Sequence, residues 1–312
     1  MISKAVIEAL KDIVPEENIH LEEPLSKHTT FRVGGPADCL IEIGSAVQLT
    51  KIQKYLTLID MPYVVVGNGS NLLAGDRGYR GVVLELGPKF ADIRVEGTKI
   101  TAQAGALLSR IAKTALDHGL TGLEFASGIP GTVGGAVVMN AGAYGGEMKQ
   151  VVTSVTVLDK EGEELVLDND TMEFGYRDSV IKHHSFVVTE VIMELTQGDP
   201  AEIKEKMDDL AVRRREKQPL EFPSAGSTFK RPEGYFAGEL IMKAGLRGCQ
   251  IGGARVSDKH CGFIINAGGA CAADVKELIS ELNERIPGFK RNIFGALNNP
   301  EQLFIWDKNS IK

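Results

Sequence analysis

Two long glycine-rich stretches constrain this chain more than any other feature. The first, Gly67-Asn68-Gly69-Ser70-Asn71-Leu72, follows a run of three valines. The second, Gly128-Ile129-Pro130-Gly131-Thr132-Val133-Gly134-Gly135-Ala136, begins about 60 residues later and leads into a helix-compatible run through Met139. Glycine is needed where backbone must come within contact distance of another group or where φ is positive, and successive N–H groups wrapped around a phosphate create both needs. A helix starting in the second stretch would add an N-terminus that can face an anion. On these residues alone a pair of tight turns and a dinucleotide cradle both stand. A Rossmann site is disfavoured, because the first loop has no third glycine for G-x-G-x-x-G, and no lysine completes a P-loop. Asn68-Gly69-Ser70 matches a glycosylation sequon in form and reads as part of the turn.

Around these loops the pattern is α+β. Val6, Ile7, Leu10, Ile13 and Val14 fall at helical spacing behind Ser3, a lead helix stopped by Pro15. A strand (Cys39 to Ile43), a helix (Ala46 to Leu58, capped by Ser45) and a strand (Tyr63 to Val66) then form a βαβ unit that runs into the first glycine loop. Strands are expected at Val82 to Leu86, Ile93 to Val95 and Ile100 to Ala104, a helix at Leu107 to His118, and β-type runs at Val151 to Leu158, Glu164 to Leu167 and Phe186 to Leu195. Gly198-Asp199-Pro200 breaks the pattern before a charged helix from Ala201 to Lys217, so a domain boundary is placed near residue 198. Helices at Ala237 to Ala244 and Ala272 to Arg285, a strand at Phe263 to Asn266 and an apolar run at Leu303 to Trp306 complete the chain.

At 312 residues, with 43% apolar and 25% charged side chains, the chain can build two or three cores. Its 42 acidic and 35 basic residues leave a formal charge of -7, which argues against nucleic acid or anionic lipid as a general partner. No run approaches the roughly 20 apolar residues that span a bilayer and no signal-peptide core is present, so cytoplasm is the expected location and no membrane insertion is expected. Cys39, Cys249, Cys261 and Cys271 lack C-x-x-C spacing and read as free thiols, with no metal site expected. Arg213, Arg214, Arg215 and Lys217, with Lys230 and Arg231, are a local exception to the negative charge; a solvated helix end and an anion site both fit them.

More specific are the ordered motifs. Lys27-His28-Thr29-Thr30-Phe31-Arg32-Val33-Gly34-Gly35-Pro36-Ala37, the first glycine loop with Leu73, the second loop with Asn140-Ala141-Gly142-Ala143-Tyr144, Phe174-Gly175-Tyr176-Arg177-Asp178-Ser179 and Ser224-Ala225-Gly226-Ser227-Thr228-Phe229-Lys230-Arg231-Pro232 follow one another. Ala244-Gly245-Leu246-Arg247-Gly248, Ile251-Gly252-Gly253-Ala254 and Lys259-His260-Cys261-Gly262-Phe263-Ile264-Ile265-Asn266 come after them. In this order they resemble the UDP-N-acetylenolpyruvoylglucosamine reductase family from about residue 27 to the C-terminus. The short passage from Arg177 to Phe186 resembles the subgroup without an inserted substrate-covering loop.

The resemblance implies an α+β architecture: a two-subdomain FAD-binding fold of the vanillyl-alcohol-oxidase (PCMH) type over residues 1–198, with subdomains of about 1–80 and 81–198. A substrate-binding domain would span 199–312, its C-terminal strand returning to the FAD domain. It also implies FAD as cofactor and NADPH as cosubstrate in reducing UDP-N-acetylglucosamine enolpyruvate to UDP-N-acetylmuramate for peptidoglycan. FAD contacts are implied for Arg32, Gly67, Asn68, Gly69, Ser70, Asn71, Leu72, Gly128, Pro130, Gly131, Thr132, Gly134, Gly135 and Arg214, and substrate diphosphate contacts for Lys217 and Arg231. The implied catalytic residues are Arg177, whose planar fork suits a carboxylate, Ser227 as proton donor, and Glu301 beside the carboxylate. The family usually shows a Pro-Glu-Val-Arg run where this chain has Pro300-Glu301-Gln302-Leu303.

Two other readings share these residues: an alcohol oxidase or dehydrogenase on the same flavin fold, and a UDP-sugar-binding module without turnover. Many members of the wider flavin group attach FAD covalently through histidine. The histidines here, His20, His28, His118, His183, His184 and His260, lie outside both glycine loops, so noncovalent FAD is expected. Acid precipitation of the yellow protein should leave its colour in the supernatant; colour in the pellet would favour the oxidase.

Overall fold

The computed structural model describes residues 2–232, 234–286 and the two-residue strand at 304–305. By its contacts the chain forms two compact units, each discontinuous in sequence. One holds residues up to His20, Cys39–Asn68 and Gly81–Arg214; the other holds Leu21–Asp38, Gly69–Arg80 and the residues from Arg215 onward. The sequence division at 198 marks the break before the charged helix rather than an edge of either unit.

In the first unit, the Ser3 hydroxyl caps α1 (Lys4–Lys11) by accepting from the Val6 N–H. The apolar pattern extends to Val14, but the helix ends at Asp12, and the Ile13 and Val14 N–H groups both return to the Leu10 carbonyl as a turn. Strands β1 (Ile19–Pro24), β2 (Pro36–Glu42), β3 (Tyr63–Val66) and β5 (Tyr79–Glu85) form a sheet of order β1-β2-β5-β3. β3 and β5 are parallel, with Tyr63 opposite Val82 and Val66 opposite Glu85. Helix α2 (Ala46–Leu58), capped by Ser45 on the Gln48 N–H, joins β2 to β3, so the strand-helix-strand order read from the sequence is present, with β5 between its two strands.

A second sheet, of order β12-β11-β13-β7-β6, comprises β6 (Ile93–Glu96), β7 (Lys99–Gln103), β11 (Val152–Leu158), β12 (Glu164–Asp168) and β13 (Val187–Glu194), with every neighbouring pair antiparallel. Helix α3 (Leu108–Asp117) buries Leu108, Ile111, Ala112 and Ala115, the i, i+3, i+4, i+7 stripe of an amphipathic helix. Each fully buried Leu or Ile there contributes about 1.5–3 kcal/mol. The pairs β8 (Leu120–Thr121) with β14 (Thr196–Gln197) and β9 (Gly142–Ala143) with β10 (Gly146–Glu147) are two residues long, below what alternation in a sequence can reveal. Helix α4 (Val133–Val138) starts inside the second glycine loop.

In the second unit, β15 (Gln250–Ile251), β16 (Ala254–Val256) and β17 (Ile264–Asn266) form an antiparallel sheet. Helix α7 (Ala272–Arg285) contributes Val275, Leu278, Ile279 and Leu282 to the same core, and α6 (Ala237–Lys243) adds Ala237 and Ile241. Asp76 caps α7 from a distant part of the chain, accepting from the Ala272 N–H at 2.7 Å and the Ala273 N–H at 2.9 Å. β4 (Leu73–Ala74) pairs in parallel with β18 (Phe304–Ile305), where the sequence shows its last apolar run. Cys39, Cys249, Cys261 and Cys271 are free thiols. Among the described residues no helix is long and apolar enough to cross a membrane.

The charged helix α5 (Pro200–Lys217) buries Ile203, and Met207 packs on the core of the first unit. Lys206 ties it to Glu124, with Nζ 3.3 Å from Oε2. Glu124 is 3% exposed and accepts from the Thr121 hydroxyl at 2.5 Å and the Gly122 N–H at 3.1 Å. Burial pushes its carboxyl up, but the hydrogen bonds from Thr121 and its own backbone, the Lys206 charge and the Gly122 N–H outweigh burial and hold it below its ordinary range. A folded-state pKa below the unfolded one means stabilisation that is full above the unfolded value and lost as pH falls through the folded one. Glu124→Gln should therefore lower stability by about 1.5–3 kcal/mol at neutral pH. Denaturant titrations should show the gap to the wild type narrowing in acid; a pH-independent gap would remove charge from the account.

Candidate active site

The second glycine loop is stitched to the segment that leaves β7. The Gly134 N–H donates to the Ala104 carbonyl (2.9 Å), the Val133 N–H to Ala106 (2.8 Å), and the Leu108 N–H to Gly131 (3.0 Å). Position 134 admits no side chain, since a Cβ would stand 2.8 Å from the Ala104 Cβ. Thr132 caps α4, its hydroxyl taking the Gly135 N–H at a long 3.5 Å. Onto this threonine comes the first loop from β3. A Cβ on Gly67 would lie 2.3 Å from Thr132 Oγ1, and Asn68 Nδ2 donates to the Pro130 carbonyl at 2.5 Å.

Arg214 lies across Gly128, where a Cβ would meet its Nε at 3.0 Å. Burial lowers the pKa of this guanidinium from its ordinary value, opposed by the Tyr144 hydroxyl that hydrogen-bonds it. Gly128, Pro130 and Gly135 remain exposed. Bare backbone and a half-buried cation in one place are what an anionic dinucleotide requires, so the residues present fit the diphosphate of FAD. The structure brings Gly67, Asn68, Gly128, Pro130, Thr132 and Arg214 together. The continuation Gly69, Ser70, Asn71 and Leu72 belongs to the second unit, where Gly69 (φ +57°) backs onto the His28 carbonyl and its own carbonyl accepts from the Thr30 N–H. Arg32 is an exposed residue of that unit with a left-handed φ of +55°.

Arg177, in the first unit, is also left-handed, at φ +55°. Its Nη1 donates to the Asn140 carbonyl at 3.3 Å and its Nη2 to the Gly142 carbonyl at 2.8 Å. Asn140, itself at φ +39°, returns a bond from Nδ2 to the Gly175 carbonyl at 3.0 Å. The neighbouring Asp178 lies 3.2 Å from Lys182 Nζ and 3.0 Å from His183 Nε2. Burial raises its carboxyl, but His183 and Lys182 overcome that through hydrogen bonds and charge and hold it below its ordinary range.

In the second unit, Ser227 is exposed and follows Gly226, at φ +80°. It bridges Phe263, and its hydroxyl makes a long 3.4 Å bond to the Gly262 carbonyl. His260 shares that glycine: its Nδ1 accepts from the Gly262 N–H at 3.1 Å, and burial lowers its pKa. Lys217 ends α5 exposed, and the Arg231 guanidinium stacks 4.0 Å from the centre of the Phe236 ring. Glu301 lies outside the described residues. Sequence reasoning assigned no role to Asn140 or Lys182. Asn140 stands in a quoted motif, but nothing in its spacing shows that its carbonyl holds a guanidinium.

By its likenesses the chain is a flavin-dependent oxidoreductase. A family model described as an FAD binding domain matches residues 37–168. A solved wild-type glucose dehydrogenase, 13% identical with a TM-score of 0.50 over 63% of this chain and 45% of that one, shares the fold alone. The α+β flavoprotein fold of the vanillyl-alcohol-oxidase type read from the sequence is thus borne out. The model described as the UDP-N-acetylenolpyruvoylglucosamine reductase C-terminal domain matches residues 218–289. The UDP-N-acetylenolpyruvoylglucosamine reductase of Caldanaerobacter subterraneus subsp. tengcongensis is 49% identical over 307 residues, covering 98% of this chain and 100% of the relative. The crystal structure of the reductase from Thermus caldophilus is 38% identical with a TM-score of 0.76, covering 86% of this chain and 95% of that one. The chain belongs to the UDP-N-acetylenolpyruvoylglucosamine reductase family.

Gly67→Ala should abolish FAD retention while leaving the fold intact, because only the approach to Thr132 is blocked. The ratio of flavin to protein absorbance after gel filtration, with circular dichroism as the folding control, measures this. Full flavin occupancy in that variant would exclude the contact from the cofactor site.

Proposed function

We propose that the protein reduces UDP-N-acetylglucosamine enolpyruvate to UDP-N-acetylmuramate with NADPH, supplying peptidoglycan synthesis in the cytoplasm. The observation that carries this reading is the 49% identity, across both chains, to a relative named for that reductase activity. The arrangement around Arg177 supports it.

In this reading FAD is held by Gly67 to Leu72, Gly128, Pro130 to Thr132, Gly134 and Gly135, with Arg32 and Arg214 as its cations. Bound FAD would supply hydride chemistry for saturating the vinyl group, with NADPH as the reductant. Negative charge then develops on the substrate carbon bearing the oxygen and on its carboxylate, and fixed donors placed where charge appears are usually the largest catalytic contribution. Arg177 is suited to that task. Its bonds to the Asn140 and Gly142 carbonyls use two of the five N–H donors of its planar guanidinium.

Ser227 supplies the proton that completes the carbon. Its weak bond to Gly262 leaves the hydroxyl able to turn toward a substrate, and the oxygen it becomes needs neighbouring donors for stabilisation. Glu301 is assigned to the carboxylate end together with Arg177, and Lys217 and Arg231 to the diphosphate of the UDP-sugar.

Stopped-flow flavin absorbance tests the assignment. NADPH should bleach the flavin and UDP-N-acetylglucosamine enolpyruvate should restore it, with Ser227→Ala slowing the second step by about 10²–10⁴-fold and leaving the first unchanged. Wild-type reoxidation in that variant would remove Ser227 from the mechanism, and failure of the substrate to reoxidise the native enzyme would overturn the function.

A further inference from the structure

We infer that Lys182 is a positioning residue that holds the Arg177 peptide in its left-handed conformation and so aims the guanidinium; this rests on the reading of Arg177 as the carboxylate ligand. The lysine side chain is 11% exposed. Its Nζ donates to the Arg177 carbonyl at 3.1 Å and stands 3.2 Å from Asp178 Oδ1. Ammonium groups are rarely taken this far out of water without a charged partner and a purpose for the pair. Here the one cation spans the carbonyl of residue 177 and the carboxylate of residue 178, so it clamps the peptide between them.

The clamp has a firm base. Lys182 lies in the 3-10 turn Val180–His183, whose Ile181 is buried. Ser179, fully buried, donates its hydroxyl to the Val138 carbonyl at 2.9 Å. Gly175 and Asp178 close the turn from the other side, with the Gly175 N–H on the Asp178 carbonyl at 3.0 Å. A non-glycine residue at positive φ is strained, and it persists only where its surroundings hold it there. Asn140 and Gly142 fix the tip of Arg177, and Lys182 fixes its root. Without the root contact the peptide relaxes toward negative φ, which swings the Cα–Cβ bond and carries the guanidinium away from the two carbonyls. His183, 57% exposed, also meets this carboxylate, on Asp178 Oδ2 rather than on Arg177.

The test uses the FAD-loaded enzyme and a mutant cycle. Lys182→Met should leave flavin reduction by NADPH unchanged and slow reoxidation by UDP-N-acetylglucosamine enolpyruvate by about 10–100-fold, the scale of a misplaced catalytic group. Calorimetry on the oxidised enzyme should show weaker binding of the same substrate. In an Arg177→Ala background, Lys182→Met should add no further loss to either measurement, because it acts through the arginine. Additive losses, or equal slowing of both half-reactions, would overturn the inference. Should the methionine variant fail to retain flavin, Lys182→Leu, which likewise removes the donor to the Arg177 carbonyl, is judged by the same criteria. Normal reoxidation in Arg177→Ala alone would instead overturn the reading of Arg177 as the carboxylate ligand, and the inference with it, whereas a native enzyme that the substrate fails to reoxidise would overturn the function.

Discussion

The approach of Gly67 to Thr132, closer than any Cβ would permit, joins the two glycine loops, and the proposed flavin cradle follows from that meeting. Thr132 has three tasks at once: it accepts the first loop, caps α4, and forms the antiparallel bridge with Leu107. Each task places a demand on its neighbours. Gly134 must be bare for the loop to lie on Ala104, and Asn68 must reach the Pro130 carbonyl. The close-packed antiparallel sheet beneath supplies the rigidity, because β7 and β13 fix Ala104 through its bond to the Thr189 carbonyl.

Backbone strain is concentrated in the same unit. Asn140, Tyr144 and Arg177 all have positive φ, and each is tied to a cation: Asn140 accepts from Arg177, Tyr144 hydrogen-bonds Arg214, and Arg177 takes Lys182 on its carbonyl. Such a conformation costs about 1–3 kcal/mol per residue and is retained where the surroundings over-determine it. Carbonyls that would otherwise follow regular paths are turned to receive guanidinium and ammonium groups. The proposed carboxylate ligand is thereby fixed before substrate arrives, which limits the reorganisation needed as charge develops.

The sequence made the fold legible where one physical signal dominated. Amphipathic spacing located α2, α3, α5 and α7 to within a residue or two, and β-type runs located the strands of the five-stranded sheet. It failed where structure rests on contacts between distant segments. β15 and β16 turn through Gly252 and Gly253 with too few residues to show alternation, and beside the local capping box of Cys271 and Asp274 the α7 N-terminus is capped by Asp76, nearly 200 residues away in sequence. At the candidate site, the glycines declared a need for bare backbone but not what would lie against them. Family resemblance singled out Arg177 and Ser227; Lys182 sits in the same stretch as Arg177 but makes its contact through a backbone carbonyl, which carries no trace in residue type.

The discontinuous make-up of the second unit affects how the polypeptide can be made. Residues 21–38 and 69–80 leave the ribosome long before the segment after Arg214 with which they form a core, so Phe31, Val33 and Leu73 remain without most of their apolar neighbours during synthesis. Translation must run almost to its end before that core can close. Nascent chains would therefore present these apolar side chains to chaperones, and truncation from the carboxyl end should harm solubility out of proportion to the length removed.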